Sequence, residues 1–266
     1  MRLLETTDFF PQSGHLVAMS QLKVCKVIKL KALNPLLTLR TIYVMNLLPS
    51  YPKNVILTSM SIEFGIFLYL VIIFSAVFHE FMHGWMASYL GDPTAKHAGR
   101  LTLNPLKHID PMGTVVIPLL LLFFFGGFIG WAKPVPYNPL LLRDKKYGSA
   151  KVGFAGPAAN FIIAIIFGIL LRFISPEAGA GGAFFLAINW VVYINIFLGL
   201  FNLIPIPPLD GSKLLMDFYP RSRSLLMQLS IFGIFFALIV AVMILPPVAH
   251  GLHWLFTGEA FLGAAF

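Results

Sequence analysis

Apolar and polar positions divide the chain sharply at Met60. From Ile62 to Phe78 the residues IEFGIFLYLVIIFSAVF are apolar apart from Glu63. The run continues without a breaker through HEFMHGWMASYL and stops at Gly91-Asp92-Pro93, where glycine and proline together end a helix. Four more apolar stretches follow: Gly113–Gly130, Val152–Leu171, Ala183–Ile204 and Leu225–Leu245, the last closed by Pro246-Pro247. Most reach the roughly 20 residues that a bilayer requires of a helix. Between them, GRLTLN at 99–104 alternates and predicts a short strand, with VPYNP at 135–139 as its partner. The tail from His250 is short and aromatic, as an interfacial segment would be. The pattern predicts an all-α polytopic membrane protein. It would have about four to six transmembrane helices, a re-entrant segment and a small membrane-associated β element.

Residues 1–59 have a different character. They carry seven Lys and Arg residues, and Pro11, Pro35, Pro49 and Pro52 break any long helix. They are expected to form a poorly structured basic leader, which is either dispensable and not part of the native protein or a cytoplasmic arm followed by a further crossing within 36–57. The working chain is expected to begin at or near Met60, with residues 60–249 as the membrane-embedded domain and 250–266 as the tail.

Composition agrees with the pattern. Of 266 residues, 58% are hydrophobic and 11% charged, against about 25% charged in an ordinary soluble domain. The lone Cys25 excludes an internal disulfide framework. The net charge of +8 would suit nucleic acid in a soluble protein. No basic helix or aromatic-interleaved basic patch supports that partner, so nucleic acid is excluded and loop charge on one side of a bilayer explains the excess.

Ionisable groups inside an apolar helix are functional candidates by default, because burying them is costly. The first segment holds His79, Glu80 and His83 together as HEFMH. Positions i and i+4 share a helix face, so both imidazoles can reach one metal ion. Glu80 lies about 100° round the helix, free to act as general base. Catalytic zinc takes three protein ligands and keeps one position open. The third candidate is Asp210 in NLIPIPPLDG, where Pro205, Pro207 and Pro208 break the helix. Taken alone, Asp210 reads as a cap or turn residue. Beside HEFMH, a carboxylate in irregular backbone at membrane depth suits a metal better. Glu177 and Glu259, the only downstream glutamates, fall in loop and tail. His97 and His108 read as loop residues, His108 being the nearer candidate because HIDP adjoins the second apolar stretch.

HEFMH in the first segment, GPAAN in the third and NLIPIPPLDG in the fourth, in that order, resemble the site-2 protease family of intramembrane zinc metalloproteases. The resemblance covers about residues 60–217. AGRLTLNPLKHIDPMG and GWAKPVPYNP are similar to its compact branch, without PDZ or nucleotide-sensing domains. It implies one zinc ion per chain held by His79, His83 and Asp210, with Glu80 as catalytic base. It also implies Asn202 as a group for substrate or the developing oxyanion, and Asn160 as a supporting polar residue. The activity implied is hydrolysis of peptide bonds in transmembrane protein substrates. Two other readings are a metal-binding membrane transporter and a catalytically inactive scaffold. The first predicts carboxylates or histidines along the third and fifth segments, which have none; the second predicts a broken H-E-x-x-H, and this one is intact.

If HEFMH and Asp210 share one ion, they lie at similar depth, and the chain between them crosses the membrane an even number of times. Three apolar stretches lie between, so Gly113–Gly130, with Pro118 and its late glycines, is expected to enter and return. Loops 91–112, 131–151 and 205–224 hold three, five and three Lys or Arg, against Arg172 alone in 172–182. The positive-inside rule then makes this a multi-pass protein of the cell membrane whose active site opens toward the cytoplasm.

Overall fold

The computed structural model describes residues 62–125, 130–174 and 180–261. The leader and its expected boundary lie outside these residues. The described part begins with α1 (Ile62–Tyr89), a helix of 28 residues. At 1.5 Å per residue it is about 42 Å long, more than the hydrocarbon core of a bilayer needs. It ends where the sequence predicts, with Gly91 at φ 99° and the buried Asp92 carboxylate accepting the Thr94 N–H at the start of α2 (Thr94–His97). An irregular stretch leads through a π-turn at Pro111–Val116 into α3 (Ile117–Phe125).

After Gly130 the chain returns to the start of this excursion. The Trp131 N–H donates to the Gly113 carbonyl at 3.0 Å, and Thr114 Oγ1 donates to the Trp131 carbonyl at 2.9 Å. Tyr69 on α1 donates its hydroxyl to the Thr114 carbonyl. The two ends of the second apolar stretch therefore meet beside α1.

The long central helices are α4 (Gly148–Leu171) and α5 (Ala180–Asn202). Asp144 prepares the start of α4 by accepting from the backbone N–H of Lys146 and Tyr147. The hydrogen bond from Lys151 contributes most to lowering its carboxyl to about 2. The buried side of α4 is built from small residues, including Ala150, Gly153, Ala155, Gly156 and Ala159. Small residues let neighbouring helices approach closely, which replaces the hydrophobic driving force that lipid does not supply. α6 (Gly211–Phe218), α7 (Arg223–Met243) and α8 (Leu245–Thr257) complete the fold. One core joins Ala164 and Leu171 of α4 with Phe185, Ile188, Val192 and Ile196 of α5 and Ala249 of α8. The boundary expected at 249/250 falls inside α8, whose buried Ala249, His253 and Thr257 face the bundle.

Three helices, Glu63–Tyr89, Gly148–Leu171 and Gly182–Asn202, are long and apolar enough to cross a membrane. A fourth candidate, Pro220–Met243, is bent by 98° between Gln228 and Phe232. Large apolar side chains such as Ile66, Leu70 and Phe74 on α1 and Phe232, Phe235 and Phe236 on α7 are exposed. Such a surface suits lipid contact and would be a liability in water.

The expected β element is not formed: the described residues contain no strand. Residues 99–104 run as turn and irregular chain, and 130–138 as irregular chain. The reason lies in the donors. Pro134, Pro136 and Pro139 have no N–H. The Val135 N–H goes to Glu80 Oε2 at 2.8 Å, and the Asn138 N–H to Asp92 Oδ2 at 2.6 Å. Two side-chain carboxylates, with single backbone bonds from Trp131 to Gly113 and from Lys133 to His108, hold this segment in place of a partner strand.

Candidate metal centre and active site

α1 sets His79 and His83 one turn apart on its buried face, with the rings edge to face at a centroid distance of 4.7 Å. The three prolines at 205–208 stop α5 after Asn202 and turn the chain back, the Pro207–Pro208 bond being cis. This brings Asp210 to the same point, buried like the two histidines. Asp210 Oδ2 lies 2.9 Å from His79 Nε2 and 3.0 Å from His83 Nε2, and the two Nε2 atoms are 3.0 Å apart.

The outer nitrogens decide what these atoms can be. His83 Nδ1 is 2.6 Å from the Val152 carbonyl of α4. A carbonyl only accepts, so Nδ1 carries a proton, and in the neutral ring that metal binding requires Nε2 then presents a lone pair. His79 Nδ1 is 2.6 Å from Asn160 Oδ1, which gives His79 the same tautomer. With both rings neutral, two imidazole lone pairs and a carboxylate oxygen converge on one point. That is unfavourable in a buried place without a cation. Two imidazole nitrogens and one carboxylate oxygen are a common zinc donor set, and a tetrahedral zinc holds neighbouring ligand atoms about 3.3 Å apart. The residues fit the ion. Each histidine also has the outer hydrogen bond that metal-binding imidazoles usually make.

Around the cluster, α4 leaves room through Gly156, and Lys213 on α6 donates from Nζ to Asp210 Oδ1 at 2.8 Å. That bond leaves Oδ2 for the histidines. Burial alone would favour the neutral amine at Lys213, but the Asp210 carboxylate outweighs it and raises the ammonium above its ordinary range. Lys213 Nζ also sits 5.4 Å from the centre of the Tyr137 ring. Glu80 stands outside the triad. Its Oε2 accepts the Val135 N–H, which ties the carboxylate to the 130–138 segment.

The structure therefore brings together His79, His83 and Asp210, with Asn160 directly behind His79. It does not bring the Asn202 side chain into the cluster: its Nδ2 donates to the Leu198 carbonyl of its own helix at 3.0 Å. His108 is buried with Nε2 on the Thr102 carbonyl, apart from the triad, and His97 is exposed. Sequence reasoning missed Lys213 and Asn195. Lys213 lies three residues after Asp210 in plain view. Asn195 is a polar residue inside an apolar helix, the signal that singled out His79.

A family profile described as Peptidase family M50 matches residues 67–185 and 177–246 of the chain. The chain is 35% identical over 196 residues to YwhC of Bacillus subtilis, covering 71% of this chain and 84% of that protein. It is 32% identical over 197 residues to Rip2 of Mycolicibacterium smegmatis, covering 72% and 71%. A shorter match, 32% over 83 residues, reaches MJ0392 of Methanocaldococcus jannaschii and covers 30% and 23%. All three carry the name of zinc metalloprotease. No solved structure matches significantly.

Proposed function

This chain belongs to peptidase family M50, a family of zinc metalloproteases, and on that premise we propose that it is an intramembrane endopeptidase hydrolysing peptide bonds of transmembrane protein substrates. The observation that carries the proposal is the convergence of His79, His83 and Asp210 inside a bundle of helices long and apolar enough for a bilayer. One such cluster occurs among the described residues, and one zinc per chain is proposed for it.

His79, His83 and Asp210 would hold the ion. Zinc bound there supplies Lewis-acid polarisation of the scissile carbonyl and makes water a better nucleophile at neutral pH. Glu80, a neighbour of His79 on α1 yet outside the ligand set, takes the proton from the attacking water and later passes it to the leaving amine. Its hydrogen bond from Val135 holds the carboxylate in place. Asn160 orients His79. Asn202 receives the substrate carbonyl or the developing oxyanion; its present bond to Leu198 is one that a substrate oxygen can replace. A helical substrate hides its carbonyls in i→i−4 bonds, so it must unwind locally before it is cut.

In topology, the Gly113–Trp131 contact supports a re-entrant second stretch. The loops on either side of it then share one face of the membrane. Their excess of Lys and Arg makes that face cytoplasmic and opens the active site toward it.

The test uses the full chain purified in detergent. Zinc per chain is measured with cleavage of a model transmembrane substrate, for the wild type and Glu80→Gln. The wild type should hold about one zinc and cleave. Glu80→Gln should hold the same zinc and lose about 10²–10⁴ in rate, the usual worth of a general base. Full activity in Glu80→Gln would overturn the mechanism.

A further inference from the structure

We infer that Asn195, in the middle of α5, is a positioning residue for the metal centre: acting through Asn160, it fixes which nitrogen of His79 carries the proton. The inference rests on the zinc-site reading above and extends it one helix further.

The argument starts from a group with no choice. The Val191 backbone carbonyl can only accept hydrogen bonds. Asn195 Nδ2 lies 2.9 Å from it, so the NH₂ end of the Asn195 amide must face Val191. Its Oδ1 must then face the other way, where it lies 3.0 Å from Asn160 Nδ2. That contact requires the Asn160 NH₂ to point at Asn195, and so turns Asn160 Oδ1 toward His79. Oδ1 sits 2.6 Å from His79 Nδ1. An oxygen there demands a proton on Nδ1, which in the neutral ring leaves Nε2 bare, facing His83 and Asp210. The polarity of a chain of four groups is thus set by one backbone carbonyl on α5.

Burial makes the chain decisive. Asn160 and Asn195 are both fully buried at 0% exposure. No bulk water is at hand to satisfy a misplaced amide, and an unpaired buried polar group is costly. An isolated Asn160 could turn over at little cost. Its NH₂ would then meet His79 Nδ1, which would have to accept. The proton would move to Nε2, the atom that must bind the ion with a lone pair. Asn195 prevents this by giving the Asn160 NH₂ an acceptor on the far side.

The test is a double-mutant cycle on zinc affinity, read by competition with a chromogenic chelator on the full chain in detergent. Asn195→Leu removes the acceptor for Asn160 while keeping the same branched side-chain shape. It should weaken zinc binding by about 10–100-fold, the usual effect of losing an outer partner of a metal ligand. Asn160→Asp replaces the amide by a carboxyl group, which offers His79 an acceptor whichever way it turns. In that background Asn195→Leu should cost less than about threefold, because a symmetric group needs no orienting. A residue that merely packs α5 against α4 would cost the same in both backgrounds, and equal losses overturn the inference. So does wild-type affinity in Asn195→Leu alone. If Asn195→Leu does not elute as the wild type does, Asn195→Ala is carried through the same cycle under the same criteria. A wild-type chain that binds no zinc refutes the metal-centre reading itself, which is a different result from either failure of the cycle.

Discussion

Gly156 of α4 stands so close to His79 that a Cβ on it would lie 2.5 Å from His79 Nε2, and the same distance from His83 Nε2. No real Cβ contact is that short, and the atoms it would strike are the inner nitrogens themselves. The glycine is therefore part of how the site is built. It lets the backbone of α4 close over the two imidazoles while Val152 and Asn160, one turn to either side, hold their outer nitrogens.

Gly156→Ala should accordingly push the rings away from Asp210. The expected result is loss of stoichiometric zinc with the helical content preserved, since alanine favours a helix more than glycine does. Metal analysis beside circular dichroism checks this. Retention of full zinc and activity would show that the rings can give way without cost.

The histidine pair and its helix were legible because charge inside an apolar run stands out, and Asp210 because three prolines break the helix just before it. The stop at Gly91-Asp92-Pro93 was legible for the same local reason. The strand pair does not form because alternation in GRLTLN and VPYNP is a local pattern, whereas the carboxylates that take the Val135 and Asn138 N–H groups belong to Glu80 and Asp92, 55 and 46 residues away. No local window contains them. Asn195 was passed over because an amide carries no charge, though burial makes its orientation matter as much as a charge would. Lys213 was visible beside Asp210, but only folding shows that its ammonium takes Oδ1 and leaves Oδ2 for the histidines.

Topology gives a second prediction. In a Cys25→Ser background, single cysteines replacing the exposed Ala98 and Leu141 should be modified by a membrane-impermeant reagent from the cytoplasmic side. One replacing the exposed Phe173 should react from the other side. Opposite labelling of positions 98 and 141 would contradict a re-entrant Gly113–Gly130 and require a further crossing.

Asn202→Ala separates binding the metal from using it. Its amide bonds to Leu198 rather than to a ligand, so zinc content should be unchanged. Turnover should fall by about 10²–10³, as for loss of an oxyanion donor, with KM changed much less than kcat. Loss of zinc instead would place Asn202 among the groups that hold the ion.

The segment beside Glu80 offers the last test. Gly84 follows His83 on α1, and a Cβ on it would meet Val135 Cγ1 at 2.9 Å, Ala95 Cβ at 3.2 Å and Leu101 Cδ1 at 3.3 Å. These contacts come from two separate segments, so the glycine is where 94–101 and 130–138 close onto the helix. Val135 is the residue whose N–H holds Glu80. A larger side chain at position 84 should lift Val135 off α1 and release the Glu80 carboxylate. His79 and His83 are held instead by α4, and Asp210 by Lys213 of α6, and they should not feel the change. Gly84→Val should therefore keep about one zinc per chain and lose activity, by about 10-fold or more, as positioning errors near 1 Å can cost up to about 10²-fold. Gly84→Ala, whose single methyl meets the movable tip of Val135, should lose less. Zinc content and cleavage rate are measured together on both variants. If Gly84→Val loses its zinc along with its activity, the 130–138 segment supports the metal ligands as well as the base, and the division of labour drawn between Glu80 and the triad is wrong.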